Sequence, residues 1–257
     1  MVYFKTKLFV FFACLFLSAN AFAQEGKEVI KVLFVGNSFT FYYNLPQVVE
    51  AMSEFSESTQ IEARHSLVSG STLLDHLNQD KGTKTIEILN TQSFDYVVIN
   101  HHSLAALDRA DTFFQTSKKM VDLIRSKNAS PIFMMTWGYK SNPLMIDSIS
   151  KAYNAMGSQL DVDIVPCGLL FSEARKLRPD LTLFDDDDKH PSKNATYLNG
   201  LAFYKYFTNE KTYNIPKRLS TLDPNRQKLY LLFLSQKNSV FLQNLVENLN
   251  FKTRLNK

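Results

Sequence analysis

From residue 29 onward the chain alternates short apolar runs with longer stretches in which apolar residues recur every three or four positions. Short apolar runs bounded by turn residues read as buried strands, and the longer periodic stretches read as helices with one face on a core. Strands are expected at residues 29–35, 60–65, 96–100, 131–136 and 162–166. Helices are expected at 45–55, 72–77, 111–126, 144–156, 171–177 and 195–207. A last helical stretch from Arg226 to about Asn248, carrying Leu229, Leu232, Val240, Leu242 and Leu245, is expected to pack on the outside of the domain or cap it. Strands alternating with helices form βα units around a mostly parallel sheet. The expected class is α/β, with five strands forming the middle of a three-layer α/β/α sandwich. The sequence contains no internal repeat, low-complexity tract or Gly/Pro/Ser-rich linker, so residues 24–257 read as one domain with a C-terminal helical extension.

The first 23 residues follow a different pattern. Lys5 and Lys7 precede an apolar run from Leu8 to Leu17, and Ala21-Phe22-Ala23 stands before Gln24. A charged start, a short apolar core and a small-residue cleavage site are the parts of a secretory signal peptide. The run is short for a bilayer span, which takes about 20 residues. Cleavage is therefore expected after Ala23, giving a secreted or periplasmic protein without stable membrane insertion. A lipoprotein reading at Cys14 lacks the small residues that should precede the cysteine.

Composition adds exclusions. Of 257 residues, 45% are hydrophobic and 21% charged, which is ordinary globular usage and rules out a disordered or fibrous chain. The formal charge of +4 owes half its value to the two leader lysines, so nothing points to nucleic acid. Removal of Cys14 with the leader leaves Cys167 alone, so the exported chain has no internal disulfide, and no Cys/His spacing suggests zinc.

A parallel sheet gathers ligand sites at the carboxyl ends of its strands, so chemistry is sought just after each one. After the first strand comes Gly36-Asn37-Ser38-Phe39-Thr40. A serine at such a strand-to-helix turn exposes its hydroxyl near backbone amides able to hold an oxyanion; the alternative is a serine that caps the helix. After the second strand, Gly70 stands between Ser69 and Ser71, and its amide is either a second oxyanion donor or part of a plain turn. After the third comes Asn100-His101-His102-Ser103. The Asn100 amide can donate to a developing charge. His101 and His102 point to opposite faces of a strand and cannot easily share a metal ion. Near the end, Asp185-Asp186-Asp187-Asp188-Lys189-His190-Pro191-Ser192 leads into a helix. Asp187, three residues before His190, can turn its carboxylate onto the imidazole, with Asp188 as the rival partner. The acidic run also reads as a solvated loop or a calcium site. Tyr42, Tyr43, Trp137 and Tyr139 lie beside strand ends, where they can stack on sugar rings or belong to the core.

Taken in order, Gly36-Asn37-Ser38, Gly70, Asn100 and Asp187-Asp188-Lys189-His190 resemble the blocks of the SGNH/GDSL hydrolase superfamily. Phe34-Val35-Gly36-Asn37-Ser38-Phe39-Thr40, Asp95-Tyr96-Val97-Val98 and His190-Pro191-Ser192 resemble a branch of bacterial exported members with GNS in place of GDS. The third block departs from the common G-x-N-D, reading Ile99-Asn100-His101-His102. The resemblance implies a flavodoxin-like fold and esterase chemistry with Ser38 as nucleophile, His190 as base and then acid, and Asp187 orienting His190. It implies an oxyanion hole made by the Ser38 and Gly70 amides and the Asn100 side chain, with no metal or organic cofactor. The expected substrate is a small-molecule or glycan ester, with O-acetyl groups on carbohydrate the natural candidate for an exported enzyme. The competing expectation is a non-catalytic glycan-binding protein on the same fold.

Overall fold

The computed structural model describes residues 26–249 except 103 and 109; the expected signal peptide therefore lies outside the described residues. Five strands form one parallel sheet: β1 (Glu28–Gly36), β2 (Thr59–Leu67), β3 (Tyr96–Ile99), β4 (Ser130–Met134) and β5 (Asp163–Val165). Their order is β2-β1-β3-β4-β5, so the chain reverses its direction of winding after β2. The carboxyl ends of β1 and β3 consequently lie side by side at the switch point, with Val35 opposite Ile99.

Alternation within the strands divides the core in two. Val32 and Phe34 of β1 share one face with Val98, Ile132, Met134 and Val165. This face is covered by α2 (Leu45–Ser53), α8 (Cys167–Leu177), α9 (Lys193–Thr208) and α10 (Gln236–Asn248). Leu33, Val35, Val97, Ile99 and Phe133 face the other way. They meet α3 (Leu73–Asn78), α4 (Thr85–Thr91), α6 (Ala110–Ser126) and α7 (Met145–Leu160). A short helix, α5 (Ala105–Asp108), precedes α6. Another, α1 (Ser38–Phe41), follows β1 directly. Helix α9 is apolar nearly all round and buried from Ala195 to Tyr204, because α2 and α10 pack on it as well as the sheet.

The structure corrects the C-terminal extension. Its first part is not helical: β6 (Arg218–Leu222) and β7 (Lys228–Phe233) form an antiparallel hairpin, and only α10 is a helix. Leu229 and Leu232 have helical spacing, but they sit in an unbroken apolar run through Phe233, and Pro224-Asn225 makes the turn. The Asp223 carboxylate accepts from the backbone of Asn225 and Gln227 and closes that turn. Ser235 then caps α10 by accepting from Asn238 N. Among the described residues no helix is long and apolar enough to cross a membrane.

Candidate active site

The end of β1 delivers the chain into a turn where Asn37, not Ser38, caps α1: its Oδ1 accepts from Phe39 N at 3.2 Å. Ser38 is therefore released from capping and occupies the first helical position, with its hydroxyl free for another partner. That partner is His190, whose Nε2 lies 2.8 Å from Ser38 Oγ. Among the described residues no acceptor is paired with the Ser38 N–H or the Gly70 N–H. Gly70 has φ 67° and an added Cβ would meet nothing within 4 Å, so the requirement there is for conformation and not for space.

At Gly36, where φ is 156°, the requirement is for space as well. A Cβ there would lie 1.7 Å from Asn100 Oδ1. The missing side chain lets Asn100 lie against the turn and saturate its amide. Its Oδ1 accepts from Asn37 N (3.2 Å) and Thr40 Oγ1 (2.6 Å). Its Nδ2 donates to Asn37 Oδ1 (3.0 Å) and His101 O (3.0 Å). Asn100 thus braces the serine turn from the neighbouring strand, and both amide protons expected to face an oxyanion are already bonded.

A second brace comes from a residue the sequence did not single out. His76, on α3, is fully buried, with Nε2 2.9 Å from Gly36 O and 3.0 Å from Ser71 Oγ. The carbonyl can only accept, so Nε2 carries the proton, and Nδ1 lies 2.6 Å from the Thr85 hydroxyl, which itself bonds Ser66 Oγ. Burial keeps this imidazole neutral by lowering its pKa, against the opposing pull of the Gly36 carbonyl. Helix α3 is itself fixed by a capping box between Thr72 and Asp75, so His76 ties the Gly70 loop to the end of β1.

The acidic run does not converge on a common point. Asp187 Oδ2 bonds His190 Nδ1, while Oδ1 accepts from the backbone of Lys189 (3.1 Å) and His190 (2.9 Å). Burial alone would raise the Asp187 carboxyl, but these donors outweigh it and hold the group below the usual carboxylate range. Asp188 points away and pairs with Lys140 Nζ at 2.6 Å. The loop is anchored from the segment after β4. Trp137 Nε1 donates to Lys189 O at 3.0 Å, Lys140 N to Asp188 O at 3.0 Å, and Arg175 holds the Tyr139 and Lys140 carbonyls.

Trp137 is wholly buried between the parallel rings of Phe39 and Phe171, so it belongs to the core and cannot stack on a sugar. Tyr42 stacks on His190, and the Tyr43 and Tyr139 rings lie beneath the ammonium groups of Lys193 and Lys189. His101 turns inward, 2.6 Å from Ser117 Oγ and against Phe113, whereas His102 is exposed. Burial, with a smaller contribution from His102, pushes the His101 imidazole down to about 3. The two histidines thus serve different surroundings, in keeping with their opposite directions from the strand end.

The arrangement can be compared with known proteins. No protein-family profile and no curated protein sequence matches the chain. Solved structures do. A DUF4886 family protein from Bacteroides uniformis aligns with TM-score 0.67 at 19% identity, over 86% of this chain and 94% of its own. A provisionally assigned SGNH hydrolase from Slackia heliotrinireducens aligns with TM-score 0.59 at 18% identity, over 71% of this chain and all of its own. The acetylxylan esterase Axe2 from Geobacillus stearothermophilus aligns with TM-score 0.54 at 17% identity, over 71% of this chain and 94% of its own. At these identities the likeness is one of fold, and the fold is the three-layer α/β/α architecture of SGNH hydrolases.

Proposed function

We propose that the protein is a serine esterase that transfers an acyl group from an ester to Ser38 and then to water. The observation that carries this is the line Ser38 Oγ, His190 Nε2, His190 Nδ1, Asp187 Oδ2. With Asp187 ionised, Nδ1 keeps its proton and donates to the carboxylate, which leaves Nε2 free to accept the Ser38 proton. Oγ then bonds the ester carbonyl carbon, and the carbonyl oxygen takes up the negative charge. The Ser38 and Gly70 N–H groups, unpaired among the described residues, are the donors offered to that oxygen. Asn100 joins them only by sharing or releasing one of its two bonded Nδ2 protons, so its standing contribution is to hold the turn. Collapse of the intermediate breaks the bond to the alcohol oxygen, which takes the proton from Nε2. Water repeats the sequence on the acyl-serine with His190 as base. None of these steps calls for a metal or an organic cofactor.

For the substrate we propose an acyl ester on carbohydrate, with acetyl the first candidate. Export through the 1–23 leader would place the protein among envelope or extracellular glycans, and the fold is shared with an acetylxylan esterase. The test is turnover of nitrophenyl acetate, butyrate and octanoate, followed by acetate release from O-acetylated polysaccharides, by the wild-type and Ser38→Ala proteins. Ser38-dependent turnover that falls from acetate to octanoate supports the reading. Polysaccharide binding without Ser38-dependent turnover would favour the glycan-binding alternative.

A further inference from the structure

His190 is held in its own plane by Asp187 and Ser38, but those two bonds leave the imidazole free to tilt about the line joining them. What stops the tilt is aromatic. The Tyr42 ring lies flat on one imidazole face, with centroids 4.1 Å apart and planes within 6° of parallel. The Phe39 ring meets the imidazole edge-on, 5.5 Å away at 75°. Tyr42 is brought there by an unusual stretch of backbone. The two residues after it, Tyr43 (φ 49°) and Asn44 (φ 55°), are both in the left-handed region without being glycine. Asparagine tolerates that region, but the bulky side chain of Tyr43 disfavours it, so the conformation at Tyr43 persists only where the surroundings impose it. Here Asn44 Nδ2 donates to Gln47 Oε1 in the first turn of α2, and Thr196 Oγ1 on α9 donates to Tyr42 O at 3.5 Å. A strained turn is thus maintained beside the serine, and its outcome is a phenol ring on the face of His190.

We propose that Tyr42 is a positioning residue for His190: its ring fixes the imidazole plane between Asp187 and Ser38 and favours the imidazolium that forms when Ser38 gives up its proton. This rests on the esterase reading of the same site. An aromatic face attracts a cation, with a benefit that depends on how far the pair is shielded from water. The benefit appears only once the imidazole is charged, in the transition state and tetrahedral intermediate, so it raises kcat without tightening substrate binding. The phenol hydroxyl takes no part, since the contact is through the ring.

Nitrophenyl acetate is the suitable substrate because it carries no sugar ring for Tyr42 to recognise. Tyr42→Leu, which fills similar space without a π-face, is expected to lower kcat about two- to thirtyfold with KM unchanged, the range of a partly shielded cation–π contact. Tyr42→Phe and Tyr42→Trp should restore most of the rate. A readout independent of turnover is the His190 Cε1–H proton resonance, assigned by comparison with His190→Asn. It should lie upfield in wild type and in Tyr42→Phe through the ring current, and move downfield in Tyr42→Leu. Wild-type kcat in Tyr42→Leu, a raised KM at constant kcat, or failure of the aromatic variants to restore the rate would overturn the positioning role, as would an unshifted resonance. If the resonance moves as expected but wild type and Ser38→Ala are equally inactive, the esterase reading fails and the catalytic role of Tyr42 falls with it, although the stacking stands.

Discussion

Gly36→Ala is expected to damage both stability and turnover chiefly because of one contact, beyond any strain at its φ of 156°. The new methyl would lie 1.7 Å from Asn100 Oδ1 and 2.6 Å from its Cγ, distances no Cβ can keep. Either Asn100 swings away, breaking the four bonds its amide makes to Asn37 N, Thr40 Oγ1, Asn37 Oδ1 and His101 O, or the turn withdraws, breaking the three that join Asn100 to the turn. Each such bond contributes about 0.5–1.5 kcal/mol net, so losing three or four costs about 1.5–6 kcal/mol. Gly70→Ala is the control: its Cβ meets nothing, and the expected cost is the left-handed backbone alone, about 1–2 kcal/mol. Urea unfolding at constant m-value measures both. If the collision with Asn100 is the cause, Asn100→Ala should remove part of the penalty, so that the double variant is less destabilised than the two single effects added together. Turnover of Gly36→Ala should fall at least about tenfold, since displacing Asn37 N and Thr40 moves Ser38, and small displacements of reacting groups are costly. A Gly36→Ala variant no less stable than Gly70→Ala, or strict additivity with Asn100→Ala, would show that the collision with Asn100 is not the cause.

The remaining expectations concern charge and processing. Asp187→Asn should lower turnover by about 10³–10⁴, because the neutral amide no longer fixes the tautomer of His190 or balances its charge. Asp188→Asn should be nearly silent: it loses an exposed pair with Lys140 worth at most about 1 kcal/mol, and asparagine tolerates the φ of 61° at that position. His101, with its folded pKa depressed to about 3, takes up a proton more readily in the unfolded chain. Stability should therefore be fully present above about pH 6.5 and decline as pH falls toward 3, with the unfolding free energy of His101→Gln showing a shallower dependence over that window. Mass spectrometry of the exported protein should find Gln24 at its start, and a mature chain still beginning at Met1 would contradict the leader reading.

The sheet was legible because its strands are short runs of apolar residues with helices of the right period between them; strand ends differ by only a few residues. The 226–235 segment was not, because two leucines at helical spacing imitate a helix unless the turn before them is weighed first. In the site, Ser38, Asp187 and His190 stand at strand and loop ends where chain order carries information, and the structure brings them together. Asn100 was legible as a neighbour but not in its bonding, which depends on how close Gly36 lets it come. His76 gave no signal, since one histidine in an amphipathic helix looks like any other polar residue until its burial is seen. The stacking of Tyr42 depends on two successive left-handed residues, and Tyr43-Asn44 carries no glycine to announce them.

In the proposed mechanism Ser38 is a nucleophile activated by His190. Reaction with a fluorophosphonate, followed by intact-mass and peptide analysis, reads that activation at the serine itself. A single adduct on Ser38 is expected in wild type, much slower to form in His190→Ala and absent in Ser38→Ala. An adduct on another serine, or a Ser38 labelling rate unaffected by removing His190, would contradict it.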